Sequence, residues 1–237
     1  MSKTGNIETI NLPFLDQYKN KIKSSHLKND KLNIFNSEYL VEDVWRYVIN
    51  VKNNTIIKKE IKKTIKNSYF SDQLATNAIG SNILLLLESP HRYEYIFPSM
   101  KPKAPAQAKT PGGAGGAIDK YIEKVLLSLN NNIPDGTYNL IIANPIQYMC
   151  SLYHILPEGK INTNIRDNTW KALWELESIK SDFISRVSKY DPYMVINCCT
   201  SELKQFVTTE LQRHNINNIF EKDHPAMRWM YEYELKD

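Results

Sequence analysis

Cysteine is scarce: Cys150, Cys198 and Cys199 are the only three in 237 residues. They are too few, and wrongly spaced, for a disulfide framework or a four-thiolate zinc or iron–sulfur site, and they read as buried thiols. Long apolar runs are missing too. Nothing approaches the ~18 residues of a membrane span, and the N-terminal MSKTGNIETI lacks the apolar core of a secretion signal. A cytoplasmic protein without a membrane partner is the expectation. Excess charge is small, with 30 basic against 26 acidic residues and a net charge of +4. That balance tolerates a polyanionic partner without requiring one. No internal repeat is visible.

What is present begins with NILLLLESP, residues 82–90. Five aliphatic residues from Ile83 to Leu87, with Gly80 and Ser81 before them and Pro90 after, have the form of a short strand buried on both faces. Glu88 follows directly. In open α/β sheets ligands bind beyond the carboxyl ends of parallel strands, so Glu88 is a candidate for chemistry, with turn capping as the alternative.

The first 80 residues have a different texture. Ile56, Ile57, Ile61 and Ile65 recur among lysines from Ile56 to Lys66, a spacing that predicts an amphipathic helix. A second helix is predicted from Tyr39 to Asn50, with Leu40, Val44, Tyr47 and Val48 on one face. This gives an N-terminal helical extension, 1–80, packed on a domain spanning 81–237. Beyond residue 81, short apolar runs at Tyr138–Ala143, Tyr193–Cys198 and Asn218–Phe220 alternate with helical spacing at Ile118–Leu126, Trp170–Tyr190 and Glu202–His214. Such alternation predicts a parallel sheet with helices on both faces.

Polar residues follow the predicted strands. Asn144-Pro145 comes after the second and His224-Pro225 after the last. Four of the eight glycines fall between 112 and 116, where a helix begins. Glycines there let backbone amides approach an anion, or serve only as a flexible turn. Neither nucleotide fingerprint fits, because Ala117-Ile118 stands where a Walker loop needs Lys-Ser/Thr and because more than twenty residues separate the first strand from the glycines.

Taken in order, these motifs resemble the uracil-DNA glycosylase superfamily, most closely the branch whose first motif reads Gly-Glu-Ala-Pro-Gly. Leu87-Glu88-Ser89-Pro90-His91 occupies that motif, and Gly113-Ala114-Gly115-Gly116-Ala117-Ile118-Asp119 resembles the family's glycine-rich helix start. Asn144 stands at the base-reading asparagine and His224-Pro225 at the closing His-Pro loop. About residues 80 to 230 are covered.

The resemblance implies a three-layer α/β/α domain around a four-stranded parallel sheet. It implies an enzyme that flips a nucleotide out of double-stranded DNA and hydrolyses its N-glycosidic bond, with no cofactor. Glu88, Asn144 and His224 are then the catalytic residues. Ser89, Pro90, His91, Tyr93, Gly113, Gly115 and Gly116 contact substrate, and Met227 and Arg228 stand where the family wedges the base stack.

Three departures matter. Ser89 occupies the position at which other members carry a water-activating aspartate. The cluster-ligating cysteines of the nearest branch are absent, so no iron–sulfur cluster is expected. His91 replaces the aromatic plug that excludes 5-substituted pyrimidines, and Tyr93 and Tyr95 follow it with rings able to stack on a sugar. These changes could admit a base with a bulky 5-substituent, and the overall resemblance implies a glucosylated 5-hydroxymethylcytosine of phage DNA as the expected substrate, with uracil or another deaminated base next and a non-catalytic DNA-binding module as the alternative of another class. Lysines between Lys58 and Lys66, with Lys101, Lys103 and Lys109, are the candidate phosphate contacts.

Overall fold

The computed structural model describes residues 12–23, 27–28, 31–32, 34–65, 80–106, 113–129, 133–156 and 162–234. Lys66, Lys109 and Gly112 lie outside these residues. Strands β1 (Leu27–Lys28) and β2 (Lys31–Leu32) form a small antiparallel pair near the N-terminus. The main sheet contains β3 (Val44–Lys52), β4 (Thr55–Thr64), β5 (Ser81–Leu86), β8 (Gly136–Ala143), β9 (Pro192–Asn197) and β10 (Ile219–Glu221), in the order β10-β9-β5-β8-β3-β4. A second short ladder, β6 (Tyr95–Ile96) with β7 (Lys101–Pro102), lies in the loop after β5. The helices are α1 (Ala114–Ser128), α2 (Thr163–Trp174), α3 (Glu177–Tyr190), α4 (Ser201–Arg213) and the short α5 (Met230–Tyr233).

The four apolar runs read from the sequence are β5, β8, β9 and β10, and they are parallel to one another. Alternation along β5 sorts its side chains between two cores. Leu84 and Leu86 pack under α2, α3 and α4, against Trp170, Phe183 and Leu203, whereas Ile83 and Leu85 pack under α1 with Ile118 and Ile122. Helices thus cover both faces. At the start of β5, Gly80 takes φ +101°, and a Cβ there would stand 1.7 Å from the Thr137 carbonyl oxygen, so no side chain fits.

The helices expected in the N-terminal part, at 39–50 and 56–66, are overturned. The stretches read as helices are β3 and β4, an antiparallel hairpin whose first strand pairs with β8. Among the described residues the sheet therefore has six strands, where four were expected: β3 runs antiparallel to the parallel four, and β4, antiparallel to β3, returns in their direction. Two asparagines make the turn: Asn53 and Asn54 have φ of 48° and 59°, the pair of left-handed residues that a two-residue hairpin loop requires. Along β3, Tyr47, Ile49 and Val51 are buried while Asn50 and Lys52 are exposed, the period of a strand. As the edge strand, β4 carries lysines that discourage pairing with another chain, and its Ile57 and Ile61 are exposed instead of forming a buried helical face.

The strand order also locates a crevice. The chain passes from β5 to β8 on one side, then crosses back to β9 on the other, so the winding reverses between β5 and β9. Ligands in open sheets bind at the carboxyl ends beside such a reversal.

Candidate active site at the strand ends

Register brings the predicted residues to one edge. Ala143, Leu86, Asn197 and Glu221 form one row across β8, β5, β9 and β10. Asn144 is one residue beyond that row, Glu88 two and His224 three. The Leu87 amide donates to the Ala143 carbonyl at 3.0 Å, so β5 and β8 end side by side.

Asn144 is fully buried, and neither its amide nitrogen nor its amide oxygen has a hydrogen-bond partner. An unsatisfied buried polar group costs about 1–3 kcal/mol, and a ligand that supplies both an acceptor and a donor would relieve that cost. Its backbone, by contrast, is gripped. Arg186 Nη2 donates to the carbonyls of Asn144 at 3.1 Å and Pro145 at 3.2 Å, while Nη1 reaches Asp43 at 2.7 Å and Nε reaches Asp182 at 2.8 Å. Asp43 also accepts from the Tyr190 hydroxyl at 2.6 Å and from Gln147 Nε2 at 3.1 Å. Burial works against the Arg186 charge, but Asp43 and Asp182 outweigh it and keep the guanidinium firmly protonated.

Glu88 is buried as well, and its carboxyl group is paired on one side only. Oε1 pairs with Arg166 Nη1 at 3.0 Å, Oε2 has no hydrogen-bond partner, and the Glu88 carbonyl accepts from Trp170 Nε1 at 2.9 Å. Arg166 belongs to the first turn of α2 and is steadied by Asp167 at 2.7 Å. His224 lies in the same field. Burial lowers its imidazole below the ordinary range; Glu88 opposes the shift, and Arg166 and Lys204 add to it. The His91 imidazole is lowered by desolvation, then by Arg92 and His224, again with Glu88 opposing. Two neutral imidazoles, one carboxylate and one guanidinium therefore share the strand ends.

The remaining predicted residues divide. Ser89 is half-buried, with its hydroxyl hydrogen-bonded to the buried Cys150 thiol, and Pro90 is buried. His91 caps the short helical turn Arg92–Glu94, and Tyr93 is exposed at the rim. Tyr95 does not face a ligand: it packs with Val41, Met100 and Met149, and its hydroxyl donates to the Tyr39 carbonyl at 2.9 Å. The sugar-stacking expectation for Tyr95 fails because its ring fills a small core.

Gly113 is the N-cap of α1, without a side-chain capping bond, and Gly115 and Gly116 form the first turn. This helix begins at the carboxyl edge, as its contacts show. Asp119 accepts from the Tyr47 hydroxyl, level with Leu140, and four residues later Glu123 pairs with Lys58, level with Tyr138. Met227 and Arg228 are exposed on the π-helical turn Pro225–Trp229, whose Trp229 anchors it by donating to the Asp223 carbonyl at 2.8 Å. Cys150, Cys198 and Cys199 are buried free thiols, as read from the sequence.

No family model, curated protein or solved structure matches the chain. The residues themselves carry the argument.

Sequence reasoning missed Arg166, Arg186 and Asp43. Only Arg166 left a signal: the Asn162 side chain caps α2 by accepting from the Asn164 amide at 3.1 Å, and an Asn-Thr-Asn start marks a helix beginning before Trp170. Among the described residues no cluster of three or more His, Cys, Asp or Glu side chains could hold a metal ion, and no helix is long and apolar enough to cross a membrane.

Proposed function

We propose that the chain is a DNA glycosylase of the uracil-DNA glycosylase type, which flips a modified base into the crevice and hydrolyses its N-glycosidic bond. The observation that carries this reading is the Asn144 side chain, buried without partners on a backbone that Arg186 holds in place. An amide of this kind matches a base edge, which offers a donor and an acceptor together.

The chemistry follows from charge. As the bond between the sugar C1′ and the base nitrogen breaks, the electron pair leaves with the base and the sugar becomes cationic. A neutral His224 donates a hydrogen bond to the departing base, where negative charge grows. Glu88, through its unpartnered Oε2, offsets the sugar cation or orients the water that attacks C1′. That water forms the new bond to C1′, and its proton passes to Glu88 or to solvent, leaving an abasic site. Arg166, paired to the other oxygen, holds the carboxyl group in place.

The preferred substrate is α-glucosyl-5-hydroxymethylcytosine in phage DNA, which makes the chain an anti-phage enzyme. This reading is supported by His91 in place of the family's aromatic plug and by Tyr93, an exposed ring two residues on. The test is incubation with duplexes carrying glucosylated cytosine, uracil and unmodified cytosine, followed by alkaline cleavage of abasic sites. Cleavage confined to glucosylated DNA is the expected result. Cleavage confined to uracil DNA transfers the assignment to deaminated-base repair, and a gel shift without abasic sites in any duplex makes the chain a binding module.

A further inference from the structure

The loop from His91 to Ala106 has an uneven distribution of charge. Its cations Lys101 and Lys103 are exposed and Arg92 is half-buried, whereas its one acid, Glu94, is buried and accepts from the backbone amides of His91 at 3.1 Å and Ala106 at 2.5 Å. Everything charged that this loop shows to solvent is positive.

Arg92 is also held in place. Its guanidinium carbon lies 4.6 Å from the Tyr93 ring centroid and 4.8 Å from that of Tyr153, and Nη2 donates to the Tyr93 hydroxyl at 2.6 Å. Lys103 Nζ in turn donates to the Tyr93 carbonyl at 3.2 Å. Tyr93 belongs to the loop leaving β5 and Tyr153 to the loop leaving β8, so the arginine joins the two loops that carry Glu88 and Asn144. Its charge is met by the two tyrosines and by no carboxylate among the described residues. A guanidinium has five N–H donors in a fixed fork, and two hydroxyls cannot use them all. Stacking has already taken away the side-chain freedom that anion binding would otherwise remove.

We propose that Arg92 contacts a DNA backbone phosphate beside the flipped nucleotide, presented by the cationic loop 91–106 at the mouth of the site. The proposal rests on the glycosylase reading and goes beyond it by naming the residue that grips the strand. The rings set the plane of the guanidinium, and its outer N–H groups face the phosphate.

The test measures, for the full chain, affinity for a short labelled duplex carrying a stable abasic-site analogue over a series of salt concentrations. Arg92→Met weakens binding on the order of tenfold, the worth of a hydrogen bond to a charged group. It also flattens the plot of log affinity against log salt by about 0.9, the loss of one phosphate contact. Tyr153→Leu removes one ring and keeps the charge, so affinity falls about two- to fivefold with the slope retained. Arg92→Lys retains the slope too, which separates charge from folding. If the wild type binds and Arg92→Met has the same affinity and slope, the proposal is wrong while the glycosylase reading survives. A wild type that binds no DNA overturns both.

Discussion

The two strand ends that meet in the crevice are built in opposite ways. At the end of β8, Asn144 is uncharged and unpartnered, and its backbone is clamped by a buried arginine with two carboxylates behind it. At the end of β5, Glu88 is an acid paired to a half-exposed arginine, and it is followed by a loop pinned through His91 and Glu94. The first end is arranged for geometry and the second for charge. Base reading needs a fixed donor and acceptor, whereas stabilising a transient cation needs a field, so the division matches the two tasks of the proposed reaction.

The largest expected effect comes from breaking the β8 end. Asn144→Ala lowers the single-turnover rate of base release by ~10²–10³, the usual loss for one transition-state donor. Arg186→Lys is the sharper variant, because a lysine keeps a charge for Asp43 but cannot also span the carbonyls of Asn144 and Pro145. Its rate falls with little change in DNA affinity, the signature of an interaction that serves the transition state. Equal losses in rate and affinity would instead make the Arg186 cluster a simple structural pin.

A smaller loss is expected at the β5 end. Glu88→Gln lowers the single-turnover rate by roughly a hundredfold, the low end of acid–base effects, with DNA affinity kept. Arg166→Gln, which leaves the carboxylate in place, costs less than Glu88→Gln. A reversed order, measured in the same assay, would mean that Arg166 contacts the substrate and Glu88 only holds it.

The sequence was informative about these ends to different degrees. Runs such as Ile83–Leu87 and Tyr138–Ala143 are apolar because both faces of a central strand are covered, and the polar residue ejected after each is visible for that reason. The helical expectation for 39–50 and 56–66 fails because isoleucines at 56, 57, 61 and 65 also fit a helical stripe, although Asn53-Asn54 between two β-branched runs is the stronger sign. The clamp had no local sign at all. Arg186 and Asp43 are 143 residues apart, and an arginine within an amphipathic helix looks like solvated surface until the fold turns it inward.

The two ends should also differ in response to pH. Burial raises the Glu94 carboxyl from 4.5 to about 8, against the two backbone amides it accepts from. For a group raised on folding, stability is fully present below the unfolded value and is lost as pH rises through the folded one, here between 4.5 and about 8. Glu94→Gln gives up one accepted hydrogen bond, about 1 kcal/mol, yet it no longer ionises. The variant is therefore less stable than the wild type in acid, and the gap narrows or reverses on approaching pH 8. Thermal unfolding across this range is the measurement. Parallel curves would show that Glu94 does not titrate with unfolding.

The smallest effect concerns the hairpin beyond β8, and it decides whether that side holds DNA as the loop after β5 is proposed to. Lys58 was a candidate phosphate contact, but its Nζ is 2.9 Å from Glu123 Oε2 on α1, with the two side chains 20% and 33% exposed. The Lys58 amide also donates to the same carboxylate at 3.2 Å, so the residue serves to fasten α1 to the edge strand. Lys58→Gln should leave the salt dependence of DNA binding unchanged and lower folding stability by about 0.2–1 kcal/mol, the range of partly exposed pairs. Glu123→Gln should lower stability by a similar amount, and the double variant by less than the sum, because the pair can be lost only once. A flatter salt slope in Lys58→Gln would mean that the lysine leaves Glu123 for a phosphate, and the DNA footprint would then extend across the hairpin.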